Sequence, residues 1–290
     1  MLIEITSFSE FEVSHDLIET ISNLYKTREG RLSPFPWCEE FNFNLNDIFT
    51  KPTIVTRDKA GRSVSEQIDS TMGVFRPHKD CSKPRTVLIE GEPGMGKTTY
   101  CQKIACDWAN GVETDVSFPN FKLLLFLRCC DVSGSIWEAI DDQLLPKDIE
   151  KDAKENFFKF IRANQSQVLL VLDGLDEAPS NLSKMFTDLV QGRELPKCHI
   201  ILTSRQEAGV SVSKYCDTLL HMTGFSPEKS QSFITRYFDG REALGQRLLS
   251  ETRRKKELLE LTMHPLTTAL LCLLCEDYEG DLPSDRKSVV

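Results

Sequence analysis

The sequence predicts an α/β fold with a parallel, doubly wound sheet, followed by an all-helical module. Five apolar runs of strand length lie between residues 86 and 222 with helical patterns among them, the alternation that builds a parallel sheet with crossover helices. Beyond Phe225 the strand patterns stop, and only helical spacing continues, to about Tyr278. No repeat of roughly 20 to 50 residues and no low-complexity segment competes with that organisation.

Taken in order, residues 1–29 read as a short helical segment, in which Leu17, Ile18, Ile21 and Leu24 share helical spacing until Gly30 ends it. Residues 30–85 form a leader. Its stretch LSPFPWCEEFNFNLNDIF is too apolar for a disordered linker and is expected to pack on the next module, with a seam at 73–85. The core domain is expected over 86–224. TVLIE (86–90) reads as a buried strand, and GKTTYCQKIACDWANG (96–111) as a helix closed by Gly111. KLLLFLRC (122–129) is the second strand, followed by helices near 135–145 and 150–163. QVLLVLD (167–173), HIILTS (199–204) and DTLLHM (217–222) complete the five. Residues 225–290 are assigned to a helical lid.

Composition narrows the functional classes. The 290 residues are 40% apolar, enough for a large core. A formal charge of −9 argues against direct nucleic-acid binding, which needs a basic face to neutralise phosphates. KLLLFL and PLTTALLCLLC both fall short of the roughly 20 residues of a membrane span. The acidic amino terminus is unlike a secretory signal, so a cytoplasmic protein is expected. Most of the ten cysteines sit inside strand or helix patterns and read as reduced, buried thiols. CLLC at 272–275 lies in a leucine-rich helical run and reads as core packing.

GEPGMGKT (91–98) fits G-x-x-x-x-G-K-[ST], the P-loop, and lies between a buried strand and a helix as its mechanism requires. Main-chain N–H groups and the positive end of the helix dipole surround the phosphates, Lys97 neutralises their outer oxygens, and the Thr98 hydroxyl joins a Mg²⁺ shell. Gly91, Glu92, Pro93, Gly94, Met95, Gly96, Lys97, Thr98 and Thr99 are the expected nucleotide contacts. A carboxylate in such a cradle is odd. Because the loop works through its main chain, Glu92 is expected to turn outward, while Pro93 gives up a donor and stiffens the bend.

VLLVLDGLDE (168–177) supplies the second half of the site. Asp173 ends an apolar strand at the edge where open α/β sheets bind ligands, placed to hold Mg²⁺ through water. Asp176 and Glu177 follow closely enough to position a water against a γ-phosphate. IILTSR (200–205) brings Thr203, Ser204 and Arg205 to the same edge, and Arg205 is expected to report the γ-phosphate through its fixed charge. A separate strand between the P-loop strand and the Asp173 strand, with an acid after Asp173, resembles the additional-strand, catalytic-glutamate class of P-loop NTPases. The N-K-x-D motif that reads guanine is absent.

Together, GEPGMGKTTYCQKIACDWANG, VLLVLDGLDEAP, ILTSR, TGFSPEKSQSFITRYF and HPLTTALLCLL resemble the NACHT domain of NOD-like receptors and the STAND class of signalling ATPases, over roughly residues 30–290. PFPWCEEFNFNLNDIFTKPTIV resembles the leader ahead of many NACHT domains. The resemblance implies ATP or ADP between the sheet domain and the helical lid, with Pro265 near adenine; of the family's G-x-P-like motif only the proline is present, after Met263 and His264. It also implies homo- or hetero-oligomers with NACHT proteins on activation, in innate-immune or cell-death signalling. The chain ends within the lid, ahead of the family's winged-helix domain, and is expected to be a fragment, a truncated product or a minimal member. The leading expectation is a switch in which nucleotide exchange reorients the lid and slow Mg²⁺-dependent ATP hydrolysis resets it. The alternatives are a turnover AAA+-like ATPase and a nucleotide-binding decoy or adaptor.

Overall fold

Leu17 and Ile21 form the buried stripe of a helix over residues 15–24 (α1), which widens into a π-type turn at Tyr25–Glu29 that buries Tyr25. Gly30 closes it, its N–H bonding to the Tyr25 carbonyl at 3.1 Å. The computed structural model describes residues 15–33, 42–58, 63–68, 73–112 and 120–280. The acidic stretch 1–14, the PFPWCEEF part of the leader and the tail 281–290 lie outside the described residues.

Two antiparallel pairs follow. Strands β1 (Arg31–Leu32) and β2 (Phe43–Asn44) form a short ribbon that leads into helix α2 (Leu45–Ile48), where the Asn44 side chain accepts from the Asn46 N–H as a cap. Strands β3 (Thr53–Arg57) and β4 (Ser63–Gln67) pair with a register shift between Val55 and Thr56.

The five predicted strands then appear as β5 (Thr86–Glu90), β6 (Leu123–Arg128), β7 (Val168–Asp173), β8 (His199–Ser204) and β9 (Thr218–Gly224). They form one sheet with β3 and β4, in the order β4-β3-β9-β5-β8-β7-β6, and the block from β9 to β6 is parallel. Every residue of β5 and β7 is buried, which fits the near-continuous apolar runs of strands enclosed on both faces. The fold is that of a P-loop NTPase, flanked by helices α3 (Lys97–Ala109), α4 (Ile136–Leu144), α5 (Lys151–Ala163), α6 (Ser183–Val190) and α7 (Gln206–Ser213). Helix α4 begins with a reciprocal capping box between Ser135 and Glu138.

Side chains cap four main-chain groups of edge strand β6. The Tyr25 hydroxyl accepts from the Phe126 N–H at 2.8 Å and donates to the Leu124 carbonyl at 3.1 Å. The Gln143 amide pairs with both main-chain groups of Arg128. An edge satisfied by side chains offers no template for another strand.

The described chain divides into two units. One holds the residues up to Gly30, Val55–Gly91 and Lys97–His221; the other holds Arg31–Ile54, Glu92–Gly96 and the chain from Met222. The second has its own core, built from helices α8 (Pro227–Tyr237), α9 (Glu242–Arg254), α10 (Lys256–Leu261) and α11 (Pro265–Asp277) around Phe225, Phe233, Phe238, Leu248 and Cys272, with Ile48 of α2. Proline at the first helical position starts both α8 and α11, where a missing N–H costs nothing. Cys272 and Cys275 are buried in this core, as the reading of CLLC expected, and all nine described cysteines are free.

Candidate functional site

Strand β8, not β6, separates β5 from β7 in space, although β6 is the strand that intervenes in sequence. The parallel arrangement brings the carboxyl ends of β5, β8 and β7 to one edge, carrying Glu90, Ser204 and Asp173 in turn. The Gly91 N–H donates to the Ser204 carbonyl at 3.2 Å, fixing where the chain leaves the sheet. Lys97, first residue of α3, turns its ammonium back to the Gly91 carbonyl at 2.6 Å.

Asp173 is 7% exposed, and its carboxylate is held on two sides. The Thr203 hydroxyl donates to its Oδ1 at 2.6 Å and accepts from the Gly174 N–H at 2.9 Å. Cys101 lies one helical turn past Lys97 and is buried. Burial, and after it the Asp173 charge, push the Cys101 and Cys129 thiols well above their ordinary value, so both stay protonated. Lys97, bonded to Gly91, and Asp173 thus stand at the same edge of the sheet, where α3 begins with Lys97, Thr98 and Thr99.

Asp176 and Arg205 are brought together as a pair. Asp176 Oδ1 accepts from the Arg205 main-chain N–H at 3.0 Å, and its Oδ2 lies 2.9 Å from the arginine Nε. Glu177 is exposed and its carboxylate lies over Gly174. Glu92 is exposed, as expected of a side chain turned outward, and Pro93 beside it is exposed as well.

The bend Glu92–Gly96 belongs to the second unit. Gly94 and Gly96 have φ of +77° and +92°, conformations that side-chain-bearing residues rarely adopt, and Met95 between them is buried. The Leu266 N–H donates to the Gly94 carbonyl at 3.2 Å, and a Cβ on Gly94 would lie 3.1 Å from that of Leu266. Pro265, which heads α11 behind the cap position of His264, is therefore next in chain to a residue bonded to the bend.

Sequence reading assigned no role to two other features of this edge. Thr203 was placed there, but its bond to Asp173 depends on the lateral neighbourhood of β7 and β8, which no local pattern encodes. Glu90, the last residue of β5, is buried and paired with Arg57 of β3 at 3.3 Å. Burial raises its carboxyl above the ordinary range, Arg57 opposes this, and Glu207 adds to it.

The donor set fits a magnesium-bound polyphosphate. Mg²⁺ keeps several waters and takes one or two protein oxygens beside those of phosphate, and a carboxylate such as Asp173 with a hydroxyl such as Thr98 is a pair of that kind. Successive glycine-permitted turns ahead of a helix supply main-chain donors for the phosphates.

The model of the NACHT domain matches residues 85–241. NLR family CARD domain-containing protein 4 of Bos taurus is 26% identical over 262 residues, covering 89% of this chain and 24% of the relative. Protein NLRC5 of Mus musculus is 27% identical over 214 residues, covering 68% and 10%. NACHT, LRR and PYD domains-containing protein 3 of Homo sapiens is 25% identical over 219 residues, covering 69% and 20%. The chain therefore spans a quarter or less of the length of these relatives. Among solved structures, the RuvB Holliday junction branch migration motor of Thermotoga maritima matches 70% of this chain and 66% of its own at 12% identity, with a TM-score of 0.38. Among the described residues no helix is long and apolar enough to cross a membrane. With more than half its length matched by that family's model, the chain belongs to the NACHT domain family.

Proposed function

We propose that the chain is an adenine-nucleotide switch, in which exchange of ADP for ATP alters the helical module and exposes a surface for assembly with NACHT-containing partners. The observation that carries the reading is the sheet edge at which Thr203 holds the Asp173 carboxylate at 2.6 Å and Lys97 bonds the Gly91 carbonyl at 2.6 Å, where the chain enters the glycine bend.

In this reading the main chain of Gly91–Gly96 binds phosphate and Lys97 exchanges its bond to the Gly91 carbonyl for phosphate oxygen. Thr98 and Asp173 would hold Mg²⁺, with Thr203 fixing the carboxylate. A bound Mg²⁺ supplies charge to draw the β- and γ-oxygens and stabilise the leaving group. Glu177, beside Asp176, orients a water for slow hydrolysis, and Arg205 contacts the γ-phosphate. The bond between Leu266 and Gly94 lets a change in the bend act on the head of α11, where Pro265 is proposed to pack against adenine. The cytoplasm, and innate-immune or cell-death signalling, are the setting proposed from the NLR-type relatives.

The test is particle mass with Mg²⁺ and either ADP or a non-hydrolysable ATP analogue. The switch reading predicts a monomer with ADP and larger species with the analogue. Identical mass in both would leave a static nucleotide binder.

A further inference from the structure

Asp176 has each of its two carboxylate oxygens committed to a single residue. One accepts from the Arg205 main-chain N–H at 3.0 Å and the other faces the arginine Nε at 2.9 Å, while the carboxylate is only 12% exposed. Arg205 is also held through its carbonyl, which accepts from the Ser204 hydroxyl and from the Gly209 N–H at the start of α7. Its side chain is nevertheless 52% exposed, and among the described residues its two terminal nitrogens have no hydrogen-bond partner. The result is a guanidinium fixed at its root with its outer donors free.

We infer that Asp176 is a positioning residue for Arg205, one that aims the guanidinium at the terminal phosphate. This rests on the nucleotide-switch reading above. A free arginine loses rotamer freedom when it meets an anion, so an arginine already held in an ion pair forms its charge-assisted bonds at lower cost.

A positioning role for the γ-phosphate contact predicts a specific split in binding. The full chain with Mg²⁺ is titrated with ADP and with the imido analogue of ATP, using displacement of a fluorescent ADP derivative, for the unaltered protein, Asp176→Ala, Arg205→Ala and the double variant. The ratio of analogue affinity to ADP affinity falls about fivefold or more in each single variant, a factor typical of coupled sites, with ADP affinity within about twofold. The double variant falls no further than Arg205→Ala alone. Retained ADP binding shows that each variant is folded. Should Asp176→Ala fail that check, Asp176→Asn serves in its place, since it removes the negative charge that pairs with the guanidinium and the same fall is expected. An unchanged ratio in the Asp176 variant, an unchanged ratio in Arg205→Ala, or additive losses in the double would each overturn the inference. Nucleotide binding by the unaltered protein separates that failure from failure of the switch reading: if it binds neither nucleotide, both fall.

Discussion

Thr203 donates to Asp173 across neighbouring strands at 2.6 Å, and the same hydroxyl oxygen accepts from the N–H of Gly174. A buried hydroxyl thereby fixes both the proposed magnesium-holding carboxylate and the main chain that follows it. Thr203→Val keeps the shape and removes the hydroxyl, leaving a buried carboxylate oxygen and an N–H short of a partner. Such losses cost about 1–3 kcal/mol. Urea unfolding should show that loss, together with weaker Mg²⁺-dependent nucleotide binding. Unchanged stability would mean water replaces the hydroxyl without penalty.

Tyr25 predicts a second, independent effect far from the nucleotide. Tyr25→Phe strips the hydroxyl that bridges Phe126 N–H and the Leu124 carbonyl on edge strand β6. The expected cost is again about 1–3 kcal/mol, and the Phe126 amide should exchange with solvent faster than amides of central β7. Equal exchange in variant and parent would remove the edge-sealing role.

Gly224 ends β9 with φ of +87°, and a Cβ there would lie 2.3 Å from the Met263 carbonyl oxygen, which already accepts from the Phe225 N–H at 2.8 Å. Gly224→Ala combines a strained backbone with a clash against main chain, each costing about 1–3 kcal/mol. Thermal melting should show the helical module destabilised. A variant as stable as the parent would contradict the close approach of these two segments.

Glu90 carries a pH dependence of unusual sign. Burial raises its folded carboxyl above the unfolded value, so between the two values the folded state binds more protons than the unfolded one. Stability attributable to Glu90 is then full below the unfolded value and declines as pH rises through the folded one. Comparing urea unfolding from mildly acidic to neutral pH, Glu90→Gln should lose less stability on that rise than the parent. Parallel profiles would show that the pair with Arg57 cancels the cost of burial.

Local patterns carried much of this molecule. The runs TVLIE, KLLLFL, VLLVLD and IILTS are strands because enclosure on both faces demands unbroken apolar sequence, and their limits fall within two residues of expectation. The bend at 91–98 was legible because glycine turns ahead of a lysine have few other uses. TIVTR and SVSEQ fall within the leader, although their β-branched residues signal a strand pair, because the pairing has a shifted register. Lateral relations escaped entirely. Asp176 and Arg205 each read as a separate tool, and only the adjacency of the turn after β7 to the end of β8 shows one holding the other.

The central claim is that Lys97 and Asp173 serve one magnesium-bound adenine nucleotide. The most direct measurement is to denature the purified protein, identify released nucleotide by chromatography, and count it per chain for the parent, Lys97→Ala and Asp173→Ala. The account predicts about one ADP or ATP per parent chain, almost none in Lys97→Ala, and a content in Asp173→Ala that no longer responds to Mg²⁺. A Lys97→Ala protein carrying as much nucleotide as the parent, or a folded parent that neither carries nor binds any, would contradict it.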